Sequence, residues 1–374
     1  MYYLKKNFYR YLIVLIILVT VFNLTSCKFA RFVIYNFADI KDYKKFPKRE
    51  LKTNDNKFYF ETAKNQEISK KISFDKEFSS FEEYLEKNKT VAFLIIKNDT
   101  IQYENYFKGY DETSIVASFS MAKSVLSILV GCAINDGLIK SVDEPVTNYI
   151  PELKENGFDK VTIEHLLQMT SGLDFNESYY NPFGDAATYY YGRNLRKSIG
   201  KAKLKREPGT SFEYVSGSPQ ILGLVLEKAL KDKTITEYLQ EKIWSQIGME
   251  YNASWSIDKK KNGLEKTFCC INARTRDFAK IGRLYLNNGN WNGKQIVPET
   301  WVKQSTRVDT ENGSASYYQY QWWLPTLSGD YMAEGILGQF IYVNPDKNLI
   351  IVRLGKNYGD TNWSGLFVRI ANMY

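Results

Sequence analysis

Apolar and polar positions follow two different periods along this chain, and the switch between them outlines its architecture. Residues 91–97 and 101–107 are dense in branched and aromatic side chains and flank Asn98-Asp99-Thr100, which predicts two strands joined by a hairpin. Residues 340–343 and 349–354 repeat the arrangement around Asn344-Pro345-Asp346 near the other end. Between them the signals are helical over 120–136, 162–169, 219–230, 235–247 and 275–287, separated by loop-like stretches at 172–194 and 252–270. Ser79-Ser80 ahead of Phe81, Tyr84 and Leu85 predicts one more, capped helix. Gly289 and Gly293 around Asn290-Trp291-Asn292 predict a turn rather than a phosphate cradle. Strands at both ends with a long helical excursion between them predict an α+β fold: a sheet domain plus an inserted helical domain. No internal repeat is visible, and the cleft between two such units is the default place for a site.

The first residues read as an address. Lys5, Lys6 and Arg10 precede an apolar run from Leu12 to Phe22 broken only by Thr20, the pattern of a secretory signal. The run is shorter than the roughly 20 apolar residues a membrane span needs. Leu24-Thr25-Ser26-Cys27, directly after it, resembles the lipobox of bacterial lipoproteins. That resemblance implies cleavage before Cys27, acylation of this cysteine, and a lipid anchor in the cell envelope, periplasmic or on the outer membrane. Two or three acyl chains hold a protein on a membrane stably where one does not. Residues 1–26 are then a signal peptide. Residues 27–78 mix lysines with aromatics, as in Lys41-Asp42-Tyr43-Lys44-Lys45-Phe46-Pro47, without a sustained period, and are expected to be a tether and approach segment. Residues 79–374 form the main domain, with a sheet part at 79–117 and 288–374 and a helical part at 118–287.

Composition narrows the chemistry. At 374 residues, 44% hydrophobic and 25% charged, the chain can bury a core without staples, and disorder, collagen and coiled coil are excluded as global descriptions. Of 50 basic residues three lie in the first 26, where there is no acid, so the remainder carries about +5 against its 42 acids. That charge is spread thinly, and no nucleic-acid partner is expected. The single histidine, His165, excludes a His-rich metal site and leaves one candidate for any Ser-His-Asp triad. Cys132, Cys269 and Cys270 are an odd set, two of them adjacent and hard to bridge, so no disulfide is expected and all three read as small core residues. Neither a phosphate loop nor a histidine–carboxylate ligand set is present, so no cofactor and no metal are expected.

One segment carries candidate chemistry. Ser118-Phe119-Ser120-Met121-Ala122-Lys123-Ser124 opens a helix that continues apolar nearly all round and is therefore expected to be buried. Ser120 and Lys123 stand three apart and share a face, so the amine can reach the hydroxyl. Burial disfavours the ammonium form and predicts a depressed amine pKa, suited to a base near neutrality. A serine hydroxyl needs such a neighbour to attack a carbonyl. An S-x-x-K spacing alone is common, but here Phe212-Glu213-Tyr214-Val215-Ser216-Gly217-Ser218 follows about ninety residues later, before another apolar helix.

From about Val91 onward the chain resembles the serine β-lactamase-like superfamily: class C β-lactamases, D-alanyl-D-alanine carboxypeptidases, related esterases and, most closely, the 6-aminohexanoate-dimer hydrolase branch. The resemblance rests on 118–124, on Asp143-Glu144-Pro145-Val146 with Tyr149-Ile150-Pro151-Glu152-Leu153, and on the run 161–173 from Val161 through His165 to Leu173. It continues in Tyr214-Val215-Ser216 and in the run 335–345, which opens with Gly335-Ile336-Leu337-Gly338. It implies an α/β/α sandwich with an inserted helical domain. It also implies Ser120 as acylated nucleophile, Lys123 as the group taking its proton, and Tyr214 as second acid and base, made more acidic by Lys123. The N–H groups of Ser120 and Ile336 would hold the oxyanion, and Ser216 and Gly335 would contact substrate. Tyr179, in Asn176-Glu177-Ser178-Tyr179-Tyr180-Asn181-Pro182-Phe183, is the nearest match to a tyrosine that lies over the substrate amide in that branch. His165 has no catalytic role in the resemblance.

The sequence departs from penicillin-recognising members at their K-T-G motif, where Ala333-Glu334-Gly335 stands. The missing cation removes a charge-assisted bond of about 1.5–3 kcal/mol to a substrate carboxylate. The expectation is an envelope-tethered serine hydrolase acting on a small ester or amide. A β-lactamase or D-alanyl-D-alanine carboxypeptidase, and an acylation-dead binding protein on the same fold, are the rivals. The sequence leaves the oligomeric state unread.

Overall fold

A computed structural model describes residues 2–25, 31, 32, 35, 37–66 and 78–374. Among the described residues eight strands form the main sheet, with β10 (Tyr318–Gln319) and β11 (Trp322–Trp323) at one edge and β2 (Glu61–Thr62) at the other, in the order β10-β11-β12-β13-β14-β3-β4-β2. Its centre is β12 (Tyr331–Gly335), β13 (Gln339–Asn344), β14 (Leu349–Gly355), β3 (Thr90–Lys97) and β4 (Thr100–Tyr106), all antiparallel, so the two chain ends do share one sheet. The β3–β4 hairpin closes on Asn98 and Asp99 at φ +50° and +57°, the left-handed pair that a two-residue turn matching strand twist requires. Strand alternation sorts the core into two layers. Leu94, Ile96, Ile341, Val343, Ile350 and Val352 belong to one. Phe93, Ile95, Phe340, Tyr342 and Ile351 belong to the other, under helices Phe81–Lys87 and Trp363–Ala371. Ser80 caps the first of these helices by accepting from the Glu83 N–H at 3.1 Å, as expected.

The opposite face carries helix Thr275–Leu286, whose Gly282 allows the sheet so close that an added Cβ would lie 2.9 Å from Ile341 Cγ2. The helices expected at 120–136, 162–169 and 219–230 are present as Met121–Asn135, Ile163–Leu167 and Gly217–Leu230. That at 235–247 is split, with Ile235–Leu239 widening into a π-turn at Gln240–Trp244. His165 is structural: its Nδ1 accepts from the Thr162 N–H at 3.2 Å while Thr162 Oγ1 accepts from the His165 N–H, a reciprocal cap. The Gly289–Gly293 region is the predicted turn, joining β8 (Asn290–Trp291) to β9 (Lys294–Gln295).

Three features differ from the expectations. The 27–78 stretch contributes strands: β1 (Lys48–Leu51) pairs with β6 (Ala253–Ser256), and β2 (Glu61–Thr62) edges the main sheet in parallel with β4. Together β1, β6, β7 (Ile271–Ala273) and β5 (Val116–Ala117) form a second, four-stranded sheet within which the 118–287 excursion supplies two strands. Strands of two to four residues are too short for alternation to declare them. The loop-like 172–194 stretch contains helix Asp185–Tyr191, stabilised by ring packing of Tyr190 and Tyr191 against Phe46 rather than by helix propensity. Finally, Cys269 and Cys270 are joined by a disulfide, Cα atoms 3.7 Å apart, which corrects the expectation that neither would pair. Cys270 takes φ +76°, the local backbone distortion that lets adjacent cysteines meet. Cys132 is a free, buried core residue as expected.

The N-terminal apolar run is part of helix Tyr2–Thr25, and among the described residues no helix is long and apolar enough to cross a membrane. Cys27 lies outside the described residues.

Candidate active site

The helix Met121–Asn135 starts from a strained turn. Phe119 takes φ +45°, a left-handed conformation costly for a bulky residue, and it is buried. The turn is pinned to β7: the Ser118 N–H donates to Ile271 O at 2.7 Å and Ser118 Oγ accepts from the Ile271 N–H at 3.0 Å. The end of β12 presses on it from the other side. A Cβ on Gly335 would stand 2.4 Å from Ser118 O and 3.0 Å from Ser120 N, so only glycine admits this approach. Ile336, next in sequence, and Ser120 consequently line one cavity of about 410 Å³.

Helix residues 121–133 are all buried, and Lys123 with them, at 1% exposure. Its Nζ lies 2.7 Å from Ser120 Oγ and donates to the Phe268 carbonyl at 2.8 Å. Burial pulls the amine pKa down to about 7, partly opposed by the charge of Glu177. Both expectations about this pair, shared direction and depressed basicity, match the geometry. The same Nζ sits 5.0 Å from the ring centroid of Tyr214, whose phenol stands close enough to Ser120 for that hydroxyl to lower its pKa. Tyr214 stacks on Trp323 with centroids 5.5 Å apart. One expectation fails here: the Tyr214 phenol is not acidified. Burial drives its pKa well above 10, Ser120 lowers it only in part, and the charges of Glu177 and Glu334 raise it further. Desolvation of the phenol outweighs whatever charge the depressed Lys123 amine retains, so the expected effect is missing.

Ser216 and Tyr179 are brought together by a residue the sequence reading quoted but did not single out. Glu177 Oε2 accepts from the Ser216 N–H at 2.7 Å, and Oε1 accepts from Ser216 Oγ at 2.6 Å and from the Tyr179 hydroxyl at 2.7 Å. A carboxylate two residues before Tyr179 was the available signal. At the third motif Ala333 is buried, so no cation stands there, while the Tyr358 hydroxyl donates to Glu334 Oε1 at 3.2 Å. Burial raises the Glu334 pKa above the usual carboxylate range. Tyr179, Ser216, Tyr358, Phe268 and Cys269 also line the cavity. Among the described residues no group of three or more His, Cys, Asp or Glu side chains gathers where a metal ion could be held. The arrangement offers a hydroxyl, an adjoining base, a half-buried phenol and a glycine-narrowed pocket, a set suited to acyl transfer.

The Beta-lactamase family profile matches residues 79–360. The chain belongs to the Beta-lactamase family. Within reach of that family, it is 27% identical over 308 residues to the 6-aminohexanoate-dimer hydrolase of Paenarthrobacter ureafaciens, covering 76% of this chain and 78% of that one. Among solved structures it is similar to a putative 6-aminohexanoate-dimer hydrolase from Bacillus anthracis, with a TM-score of 0.78, 28% identity, and 89% and 92% of the two chains covered. A family VIII carboxylesterase shares the fold at a TM-score of 0.59 and 17% identity, over 75% of this chain and 90% of that one. The likeness to the serine β-lactamase-like superfamily read from the motifs therefore holds, and with it the hydrolase class.

Proposed function

We propose that this family member is a serine hydrolase that cleaves a carboxylic ester or amide through an acyl-enzyme on Ser120. The observation that carries the reading is the 2.7 Å approach of a buried Lys123 amine, with its pKa near 7, to the Ser120 hydroxyl. Ser120 Oγ attacks the carbonyl carbon as its proton passes to Lys123 Nζ. The N–H groups of Ser120 and Ile336 receive the oxyanion that forms on the carbonyl oxygen. The bond to the leaving group then breaks, and Tyr214, kept protonated by burial, supplies a proton to that group while Lys123 resupplies the phenol. Water, deprotonated by the same pair, attacks the acyl carbon; the bond from that carbon to Ser120 Oγ breaks, the pair returns the proton to Oγ, and the carboxylic acid leaves. Glu177 holds Ser216 and Tyr179 in place beside the reacting bond. Lipid attachment at Cys27, in the cell envelope, belongs to the same proposal.

Intact mass after treatment with a fluorophosphonate tests it. One adduct is expected on the parent protein and none on Ser120→Ala; an unmodified parent favours an acylation-dead binding protein. The buried Ala333 at the third motif predicts faster turnover of p-nitrophenyl butyrate than of nitrocefin, and the reverse order would make the protein a β-lactamase.

A further inference from the structure

The stretch ahead of β1 does more than approach the domain. Its Phe37 and Ala38 line the same cavity as Ser120 and Ile336. Several contacts fix it there. Arg31 Nη1 donates to the Tyr191 carbonyl at 2.7 Å and the Phe32 ring meets Tyr191 edge-on at 5.3 Å. The Tyr190 hydroxyl donates to Asp42 Oδ2 at 2.6 Å, and Asp42 pairs with Lys45 at 2.7 Å. The Phe46 ring lies 5.1 Å from Tyr190 and 3.7 Å from the buried Lys266 Nζ. Phe37, thus placed, meets Tyr180 edge-on at 5.5 Å across the rim.

The described lining is mainly apolar and aromatic, with Phe37, Tyr180, Tyr190, Tyr191, Phe268 and Leu337 beside the polar Ser120, Ser216 and Asn357, and among the described residues no Lys, Arg, Asp or Glu lines the cavity. The hydroxyl of Tyr190 is spent on Asp42 and that of Tyr179 on Glu177. Ser120 and Ile336 face this space whereas Tyr214, which would serve the leaving group, is not among its lining residues. On the acyl-enzyme reading this arrangement assigns the cavity to the acyl side of the scissile bond.

Resting on the acyl-enzyme reading above, we infer that this cavity takes an uncharged, apolar acyl chain and that Phe37, from the N-terminal segment, is a specificity-determining wall for its far end. A charged terminus on the acyl chain meets no carboxylate among the described lining residues, since Glu177 and Glu334 stand behind Tyr179, Ser216 and Tyr358 and already accept their hydroxyls, and it would shed its water uncompensated. Each methylene that enters such a pocket raises kcat/KM by roughly fourfold until the wall is reached.

The test is kcat/KM for p-nitrophenyl esters from acetate to octanoate, which hold the leaving group constant, in the full chain, Phe37→Ala and Tyr180→Ala. The parent is expected to gain along the series, and Phe37→Ala to lose about fivefold or more on its best medium-chain ester with acetate unchanged. The 6-ammoniohexanoate ester is expected to react about a hundredfold more slowly than heptanoate, its uncharged isostere. Parallel losses on acetate and on the longer esters, or equal rates for the ammonio ester and heptanoate, would overturn the assignment. Fluorophosphonate labelling run alongside separates the failures. Persistent Ser120 labelling with the wrong chain-length pattern overturns the pocket alone, and absent labelling overturns the acyl-enzyme reading and this inference with it.

Discussion

At the scale of single residues, the site stores free energy that folding alone would not spend. A lysine in the middle of an apolar helix must lose its proton or carry a charge without solvent, and each pKa unit of depression corresponds to about 1.4 kcal/mol. The sign is definite. Lys123 binds a proton less readily in the folded chain than in the unfolded one, so its penalty is complete below about pH 7 and fades as the pH rises toward the ordinary lysine range. Lys123→Met should therefore be more stable than the parent at pH 7 by about 1–3 kcal/mol, after the lost bonds to Ser120 and Phe268 are set against the gain. Urea melts at pH 7 and pH 9.5 check this: the advantage should shrink at the higher pH, and a destabilised variant would contradict it. Glu177 makes the complementary point. The two bonds it accepts from Ser216 could not be read from the sequence, because residue pairs 39 positions apart leave no periodic trace, whereas its bond from Tyr179, two residues on, was open to reading.

At the scale of elements, legibility tracked length and periodicity. β3 and β4, with Asn98-Asp99 between them, and β13 and β14 lay close to the expected limits because runs of branched and aromatic residues bounded by turn residues mark them out. β1 and β2, β5 to β7 and helix Asp185–Tyr191 escaped, being short and held by partners distant in sequence. The Cys269–Cys270 bond escaped for another reason: the strained geometry that argues against pairing is accommodated by one left-handed residue. Of the motif-bearing helices, those at Met121–Asn135 and Gly217–Leu230 were legible from their long apolar runs, while the short one carries its own start signal. Ile163–Leu167 begins with the Thr162–His165 cap, so Thr162→Ala should cost about 1 kcal/mol of stability. Its kcat should remain that of the parent in esterase assays, since His165 serves the helix end and not the chemistry; a lost kcat with a normal melt would contradict that role.

For the whole molecule, the site exists where three separate parts of the chain converge: the strained turn before Met121, the end of β12 and the segment carrying Phe37. The motifs revealed the first two, and nothing periodic marked the third. Anchoring is a property of this same scale. If Cys27 bears lipid, the expressed full chain should sediment with membranes and Cys27→Ala should leave that fraction; equal distribution of the two would contradict the lipobox reading.

The central claim is that Ser120 is activated by an uncharged Lys123, and single-turnover acylation by a p-nitrophenyl ester as a function of pH tests it most directly. The account predicts a rate that climbs through an apparent pKa near 7 and falls by about a thousandfold in Lys123→Met. A flat profile, or a Lys123→Met variant that acylates as fast as the parent, would contradict it.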